Sequence, residues 1–103
     1  MEHKYTVSID RLAEEKLISH LAFVDNISEV AGDKLYAEYA EALVFISQSP
    51  ESCPLYILRV QTEEELRYKL FGKRYRIVFR IDDTMVYVHD IQDCRQDTDK
   101  SLV

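Results

Sequence analysis

The last third of the sequence constrains the fold most, because it has the pattern of three consecutive β-strands joined by short turns. Apolar and polar residues alternate in residues 66–71, 75–81 and 85–91, as they do in strands with one buried face. Gly72 and the stretch Asp82-Asp83-Thr84 supply the turns between them. We therefore expect a small, twisted and mostly antiparallel sheet at this end of the chain.

The first half of the sequence predicts one strand and two helices. Residues 5–9 alternate like a half-buried strand, and Asp10 is a suitable N-cap for a helix over about residues 11–30. Gly32 is expected to end that helix, and Asp33 to cap the next one. The second helix has an apolar stripe formed by Leu35, Tyr39, Ala42, Leu43 and Ile46. The order β-α-α-β-β-β predicts an α+β fold with the helical hairpin packed on one face of the sheet.

The size and hydropathy of the chain limit its organisation. Its 103 residues are enough for one domain, residues 1–103, and 47% of them are hydrophobic. No apolar run is long enough to cross a bilayer, and the N-terminus has no signal-like apolar core. We therefore expect a cytosolic protein without a membrane partner. Residues 55–58 are compatible with either a short strand or an apolar turn.

The cysteines and histidines do not form a recognisable ligand set. Cys53 and Cys94 are far apart and belong to no Cys-x-x-Cys pair, which favours two free thiols. His3, His20 and His89 are scattered along the chain. A zinc site needs more ligands at closer spacing, so no metal and no cofactor are expected.

The charge is unevenly distributed. The net charge is −6, which argues against a general nucleic-acid binder. Residues 66–81 nevertheless contain six of the thirteen basic residues and no acidic residue. The six are Arg67, Lys69, Lys73, Arg74, Arg76 and Arg80. Such a stretch serves either as a solvated face of a sheet or as a surface for an anionic partner, which would relieve the repulsion between the cations.

Strand alternation predicts which cations lie together. If the apolar residues of 75–81 and of 66–71 both face the helices, Arg67, Lys69, Arg76 and Arg80 share the opposite face.

The last strand is predicted to add Tyr87 and His89 to this face. A loop at residues 82–83 would pair Arg76 with His89, whereas a loop at residues 83–84 would pair Arg80 with Tyr87. A slip of one residue would bury both polar side chains, which their polar tips disfavour.

These residue types suit the cleavage of RNA by its own 2′-hydroxyl. That reaction needs a general base, cations at the phosphate and an acid for the leaving 5′-oxygen. Arginine contacts phosphate in a bidentate manner, and cationic neighbours would lower the pKa of Lys69 toward that of a base. Tyr87 and His89 are candidate proton donors or base-stacking groups. Each residue alone is more often structural, and only their combination indicates a site.

The C-terminal segment resembles the toxin subunits of the RelE/ParE toxin–antitoxin superfamily. The resemblance lies in Leu66-Arg67-Tyr68-Lys69-Leu70, Tyr75-Arg76-Ile77-Val78-Phe79-Arg80-Ile81-Asp82-Asp83, Val86-Tyr87-Val88-His89-Asp90-Ile91 and Arg95. RelE-like members are ribosome-dependent mRNA endonucleases, and Arg67, Lys69, Arg76 and Arg95 match the spacing of their basic residues. ParE-like members instead inhibit DNA gyrase by protein contact.

The resemblance therefore leaves three hypotheses. The chain is an mRNA endonuclease acting on the ribosome, with Arg67, Lys69, Arg76 and Arg95 as catalytic residues, or a gyrase inhibitor, or a non-toxic relative that keeps the fold. The matching spacing of the basic residues favours the first. In each toxin hypothesis the resemblance implies a cognate antitoxin as partner, with operator DNA contacted only through that antitoxin.

Overall fold

The computed structural model describes residues 4–56 and 65–94, and its elements follow the predicted order. Strand β1 (Thr6–Ile9) precedes helices α1 (Arg11–Ile27) and α2 (Glu29–Gln48), a 3-10 turn (Pro50–Ser52), and strands β2 (Leu66–Phe71), β3 (Tyr75–Asp82) and β4 (Met85–Asp93). The α+β class and the β-α-α-β-β-β order are therefore confirmed.

The four strands form one mixed sheet in the order β1-β4-β3-β2. β2 pairs antiparallel with β3 and β3 antiparallel with β4, whereas β1 runs parallel to β4. A parallel pair needs a long connection, and the helices together with β2 and β3 supply it. The prediction of a mostly antiparallel sheet is thus confirmed, with one parallel pair at the β1 edge.

The core lies between one face of this sheet and the two helices. Its fully buried members come from both layers, and the sheet contributes Ile77, Phe79, Val86, Val88 and Ile91. Ala13 and Leu17 of α1 and Leu35, Tyr39, Ala42 and Ile46 of α2 cover them. The apolar positions of β3 and β4 therefore face the helices, as their alternation predicted.

The boundary between the helices differs from the prediction. Ser28 separates them, and its hydroxyl accepts a hydrogen bond from the Ala31 backbone N–H at 3.2 Å. Gly32 lies inside α2 and is buried, so the predicted break at Gly32 and cap at Asp33 are wrong. A Cβ on Gly32 would lie 3.1 Å from the Asp25 Cα. Because it has no side chain, Gly32 lets the two helices approach each other closely, and it does not end a helix.

The prediction that the two cysteines are not joined to each other is confirmed. Cys53 is buried, Cys94 is partly buried, and no disulfide joins them. Among residues 4–56 and 65–94, no helix is long and apolar enough to span a membrane.

The edge of β2 is covered by the chain that follows the 3-10 turn. The Tyr56 N–H donates to the Leu66 carbonyl at 2.7 Å, and the Tyr68 N–H donates to the Pro54 carbonyl at 3.0 Å. Leu55 thereby forms a single antiparallel bridge with Arg67. The rest of the segment for which the sequence left strand and turn open, residues 57–58, lies outside the described residues.

Tyr39 is a buried phenol in the core, and its environment gives a testable prediction. Its hydroxyl has no hydrogen-bond partner among the described residues. Burial, with smaller contributions from Glu14 and Tyr36, raises the pKa of Tyr39 to about 12. We expect Tyr39→Phe to raise the free energy of unfolding by about 1 kcal/mol at pH 7, because it removes an unsatisfied buried group.

The same substitution should change the pH dependence of stability. In the unfolded chain Tyr39 ionises near pH 10, whereas the folded chain keeps it neutral to about pH 12. Wild-type stability should therefore fall above pH 10, and the advantage of Tyr39→Phe should grow by about 1.4 kcal/mol at pH 11. Urea unfolding at pH 7 and pH 11 measures both effects. Tyr36→Phe, on the exposed neighbour, is the control and should leave stability at pH 7 unchanged; a destabilised Tyr39→Phe would contradict the prediction.

Candidate functional site

The face of the sheet turned away from the helices, which we call the outer face, holds only part of the predicted cationic set. Arg76, Val78 and Arg80 of β3 lie on it, opposite the core residues of the same strand. The register of β2 places Leu70 opposite Arg76, Tyr68 opposite Val78 and Leu66 opposite Arg80. Directly paired residues share a face, so the outer face of β2 is formed by Leu66, Tyr68 and Leu70.

Arg67 and Lys69 consequently lie on the helix side of the sheet, opposite Phe79 and Ile77. The prediction that they share a face with Arg76 and Arg80 is wrong. The reason lies in Phe71, which is 5% exposed, pairs with Tyr75 and stacks on it at 5.5 Å between ring centroids. Because alternate residues share a face, burying Phe71 carries Lys69 and Arg67 to the helix side.

Arg67 is bound by the chain around the 3-10 turn. Its Nη1 donates to the Cys53 carbonyl at 2.7 Å and to the Glu51 carbonyl at 3.2 Å. Its Nη2 forms an ion pair with Glu65 at 3.1 Å. Through these contacts the guanidinium links strand β2 to the chain between α2 and β2.

Lys69 is directed toward α2. Its ammonium group lies 4.7 Å from the centroid of the Phe45 ring, within the range of a cation–π contact. It also lines a groove beside Glu38 and Glu41 of the same helix. Neither basic residue of β2 therefore points toward Arg76.

Arg76 is the centre of a polar network on the outer face. Its Nε donates to the Gln92 Oε1 at 2.7 Å, and the Tyr56 hydroxyl donates to the same oxygen at 3.1 Å. The Arg76 guanidinium also lies 5.0 Å from the centroid of the Tyr56 ring. The Gln92 amide donates to the Asp90 carboxylate at 2.9 Å, and Asp90 pairs with Lys16 at 2.6 Å. The network fixes the direction of Arg76.

Arg80 stacks on Tyr87 at the other end of the outer face. The two residues are paired across β3 and β4, and the guanidinium lies 4.4 Å from the ring centroid. Arg80 Nη1 reaches Asp82 at 3.5 Å, while its buried Nε has no hydrogen-bond partner among the described residues. The pairing confirms the loop placement at residues 83–84 and the predicted position of Tyr87.

A β-bulge decides the position of His89. Phe79 pairs with Val88 and Val78 with Asp90, so His89 is the extra residue in β4. His89 is exposed, and the pairing with Arg76 that a loop at residues 82–83 would give is wrong, because the position across from Arg76 belongs to Gln92. Arg95, the remaining predicted site residue, lies outside the described residues.

The sequence prediction missed Tyr56, Tyr68 and Gln92 on this face. Tyr68 was grouped with the apolar residues of 66–71 that were expected to face the helices. Phe71 is buried beside Tyr75, and counting alternate residues back from it would have placed Tyr68 on the outer face. Gln92 is shifted onto the outer face by the bulge, for which the sequence gives no signal. Tyr56 reaches the face from the segment that covers the edge of β2.

The outer face offers cationic and aromatic groups to a ligand or partner. It offers two arginines and three tyrosines, with part of the donor capacity of both arginines used internally. Cys53 lies in the core rather than on the outer face, and burial raises the pKa of its thiol, which disfavours a reactive thiolate. In the described part of the chain, no group of three or more His, Cys, Asp or Glu side chains is placed to hold a metal ion.

No protein-family model matches the chain, and no curated protein is significantly similar to it.

Proposed function

We propose that this chain is a RelE/ParE-like toxin subunit that acts by binding a protein target through the outer face of its sheet. The support for the toxin class is the resemblance of residues 66–95 together with a β-α-α-β-β-β order and a helical hairpin on one face. The target that the resemblance offers for a binding mode is DNA gyrase. A cognate antitoxin and a cytosolic location form part of the same proposal.

The observation that carries the binding mode is the separation of the basic residues. A nuclease of the expected kind would need Arg67, Lys69 and Arg76 at one phosphate. Arg67 and Lys69 contact the loop and helix on one side of the sheet, and Arg76 lies on the other side. Side chains on opposite faces of a sheet cannot converge on a single small group.

The composition of the outer face supports a protein partner. Tyr56, Tyr68 and Tyr87 lie there with Arg76 and Arg80, and tyrosine and arginine are the residues most enriched at interface hot spots. Leu70, nearly half exposed, adds apolar area beside Arg76. Each arginine is already oriented by an aromatic ring, so less side-chain entropy is lost on binding.

The test compares both faces of the sheet in cells. The wild-type chain is expressed from an inducible promoter in bacteria, and growth, bulk translation and DNA supercoiling are followed after induction. We expect growth arrest with loss of supercoiling before translation fails. Arg80→Ala and Tyr87→Ala should each relieve the arrest at least about tenfold in surviving cells, because truncating an interface hot spot costs about 2 kcal/mol or more of binding energy.

Lys69→Ala is the matched control, because it removes a cation of the same sheet from the helix side. It should remain as toxic as the wild type, and circular dichroism should show all three variants folded. Loss of toxicity in Lys69→Ala with retention in Arg80→Ala, or a failure of translation first, would instead favour the nuclease. Normal growth on expression of the wild-type chain would contradict the toxin proposal itself.

A further inference from the structure

A groove between the two helices lies apart from the outer face of the sheet. It has a volume of about 320 Å³ and opens near the connection between α1 and α2. Ile18 and Ala22 of α1 line one wall and Tyr36 of α2 lines the other. Ile18 and Tyr36 are each 57% exposed. A large apolar side chain from another molecule would fit between them and gain burial.

The rim of this groove is acidic. Asp25 of α1 and Asp33 of α2 line it, both are exposed, and no basic residue does so. Neither carboxylate has an ion-pair partner within residues 4–56 and 65–94. The two aspartates therefore present uncompensated negative charge on either side of an apolar floor.

The helical hairpin around the groove has the same sign of charge. Helices α1 and α2 contain more than twice as many acidic as basic residues, the acidic ones being Glu14, Glu15, Asp25, Glu29, Asp33, Glu38 and Glu41 against Arg11, Lys16 and Lys34. A second copy of the hairpin would thus meet like charge. Nucleic acid and an anionic membrane surface would be repelled as well.

Gly32 shapes the groove. It forms part of its lining, and a Cβ at this position would lie 2.8 Å from the Asp25 Oδ1. The glycine lets Asp25 sit against the backbone of α2, with the carboxylate at the edge of the apolar floor. Apolar contact and negative charge are therefore built into one site by the approach of the two helices.

We propose that this groove docks a basic amphipathic helix of a partner protein. Apolar residues of that helix at i, i+3 or i+4 would lie between Ile18 and Tyr36, and flanking Lys or Arg residues would pair with Asp25 and Asp33. The charge complementarity selects this occupant over an acidic or neutral helix. The proposal is independent of the toxin proposal, because it uses the helix side of the molecule and no residue of the outer face.

The test uses two synthetic helical peptides of equal length. Each has leucines along one face; the first has lysines flanking them, and the second has glutamates in place of every lysine. Binding to the full chain is measured by fluorescence anisotropy, and the site is mapped by amide chemical shifts. We expect the lysine peptide to bind at least tenfold more tightly than the glutamate peptide, with shifts centred on residues 18–36 and affinity falling as salt is raised.

Variants of the chain distinguish an effect of the two carboxylates at the groove from an effect of net charge alone. Asp25→Asn with Asp33→Asn should weaken binding of the lysine peptide about fivefold or more, since two rim charges are lost without a change of shape. Glu38→Gln with Glu41→Gln removes the same charge from α2 outside the groove and should change the affinity less than about twofold.

Three outcomes would overturn the proposal. The first is equal binding of both peptides, and the second is an equal loss in the two double variants. The third is no binding of the lysine peptide at concentrations up to about 1 mM. Circular dichroism of both double variants confirms that each is folded, and none of these readouts depends on toxicity.

Discussion

Replacing Gly72 with alanine is expected to destabilise the fold by about 2–4 kcal/mol. Gly72 begins the turn between β2 and β3 with a φ of 58°, in the left-handed region that costs other residues about 1–2 kcal/mol. An added Cβ would also overlap with the Leu35 Cδ1, in the core. Leu35 is 6% exposed and has little room to move, so the methyl group overpacks the core as well.

Urea unfolding followed by circular dichroism measures this loss, which would be a large share of the roughly 5–15 kcal/mol typical of a small domain. Lys73→Gly is the control in the same turn. Lys73 has a φ of 69°, so glycine there should leave stability unchanged or raise it by up to about 1 kcal/mol. A Gly72→Ala variant as stable as the wild type would mean that the turn has a different conformation.

Replacing Arg67 with alanine is expected to cost about 2–4 kcal/mol of stability. The substitution removes the donors to the Glu51 and Cys53 carbonyls and the ion pair with Glu65. The part-buried hydrogen bond to the Cys53 carbonyl, made by a charged group, contributes about 1.5–3 kcal/mol, and the exposed contacts with Glu51 and Glu65 add up to about 1 kcal/mol. Arg67→Lys keeps the charge but not the two-carbonyl geometry, and should recover less than half of the loss.

Lys69→Ala is the control on the same face of the same strand. It removes one cation–π contact with Phe45, worth about 0.5–1 kcal/mol at an exposed site. Thermal and urea unfolding of the three variants should therefore rank them in the order Lys69→Ala, Arg67→Lys, Arg67→Ala, from most to least stable. If Arg67→Ala unfolds like the wild type, Arg67 is not bound to the loop and the assignment of faces in β2 must be revised.

The turn at Gly72 and the loop bound by Arg67 decide on which side of the sheet the basic residues of β2 lie. Gly72 and Lys73 set the three-residue connection that pairs Phe71 with Tyr75. Arg67 then lies on the helix side, where the loop carbonyls can accept from it. A reaction that needs Arg67 beside Arg76 would require these contacts to be broken.

The periodicity of the apolar residues was enough to predict the type and the order of the helices and strands. β3 and β4 bury Ile77, Phe79, Val86 and Val88 as the period of two required, and the stripe from Leu35 to Ile46 covers them. The positions of Arg76, Arg80 and Tyr87 followed from the same rule. In each of these elements only one face is clearly apolar, so only one orientation buries the apolar side chains.

Where the local sequence was compatible with more than one arrangement, tertiary structure decided which residues are buried. In β2 each face carries apolar residues, and the core selected Phe71 over Leu66, Tyr68 and Leu70, which moved Arg67 and Lys69 to the helix side. The bulge at His89 brought Gln92 to Arg76, and the approach of the helices placed Gly32 within α2. These outcomes depend on contacts between residues distant in sequence, whose packing energy exceeds the local preferences that a sequence pattern records.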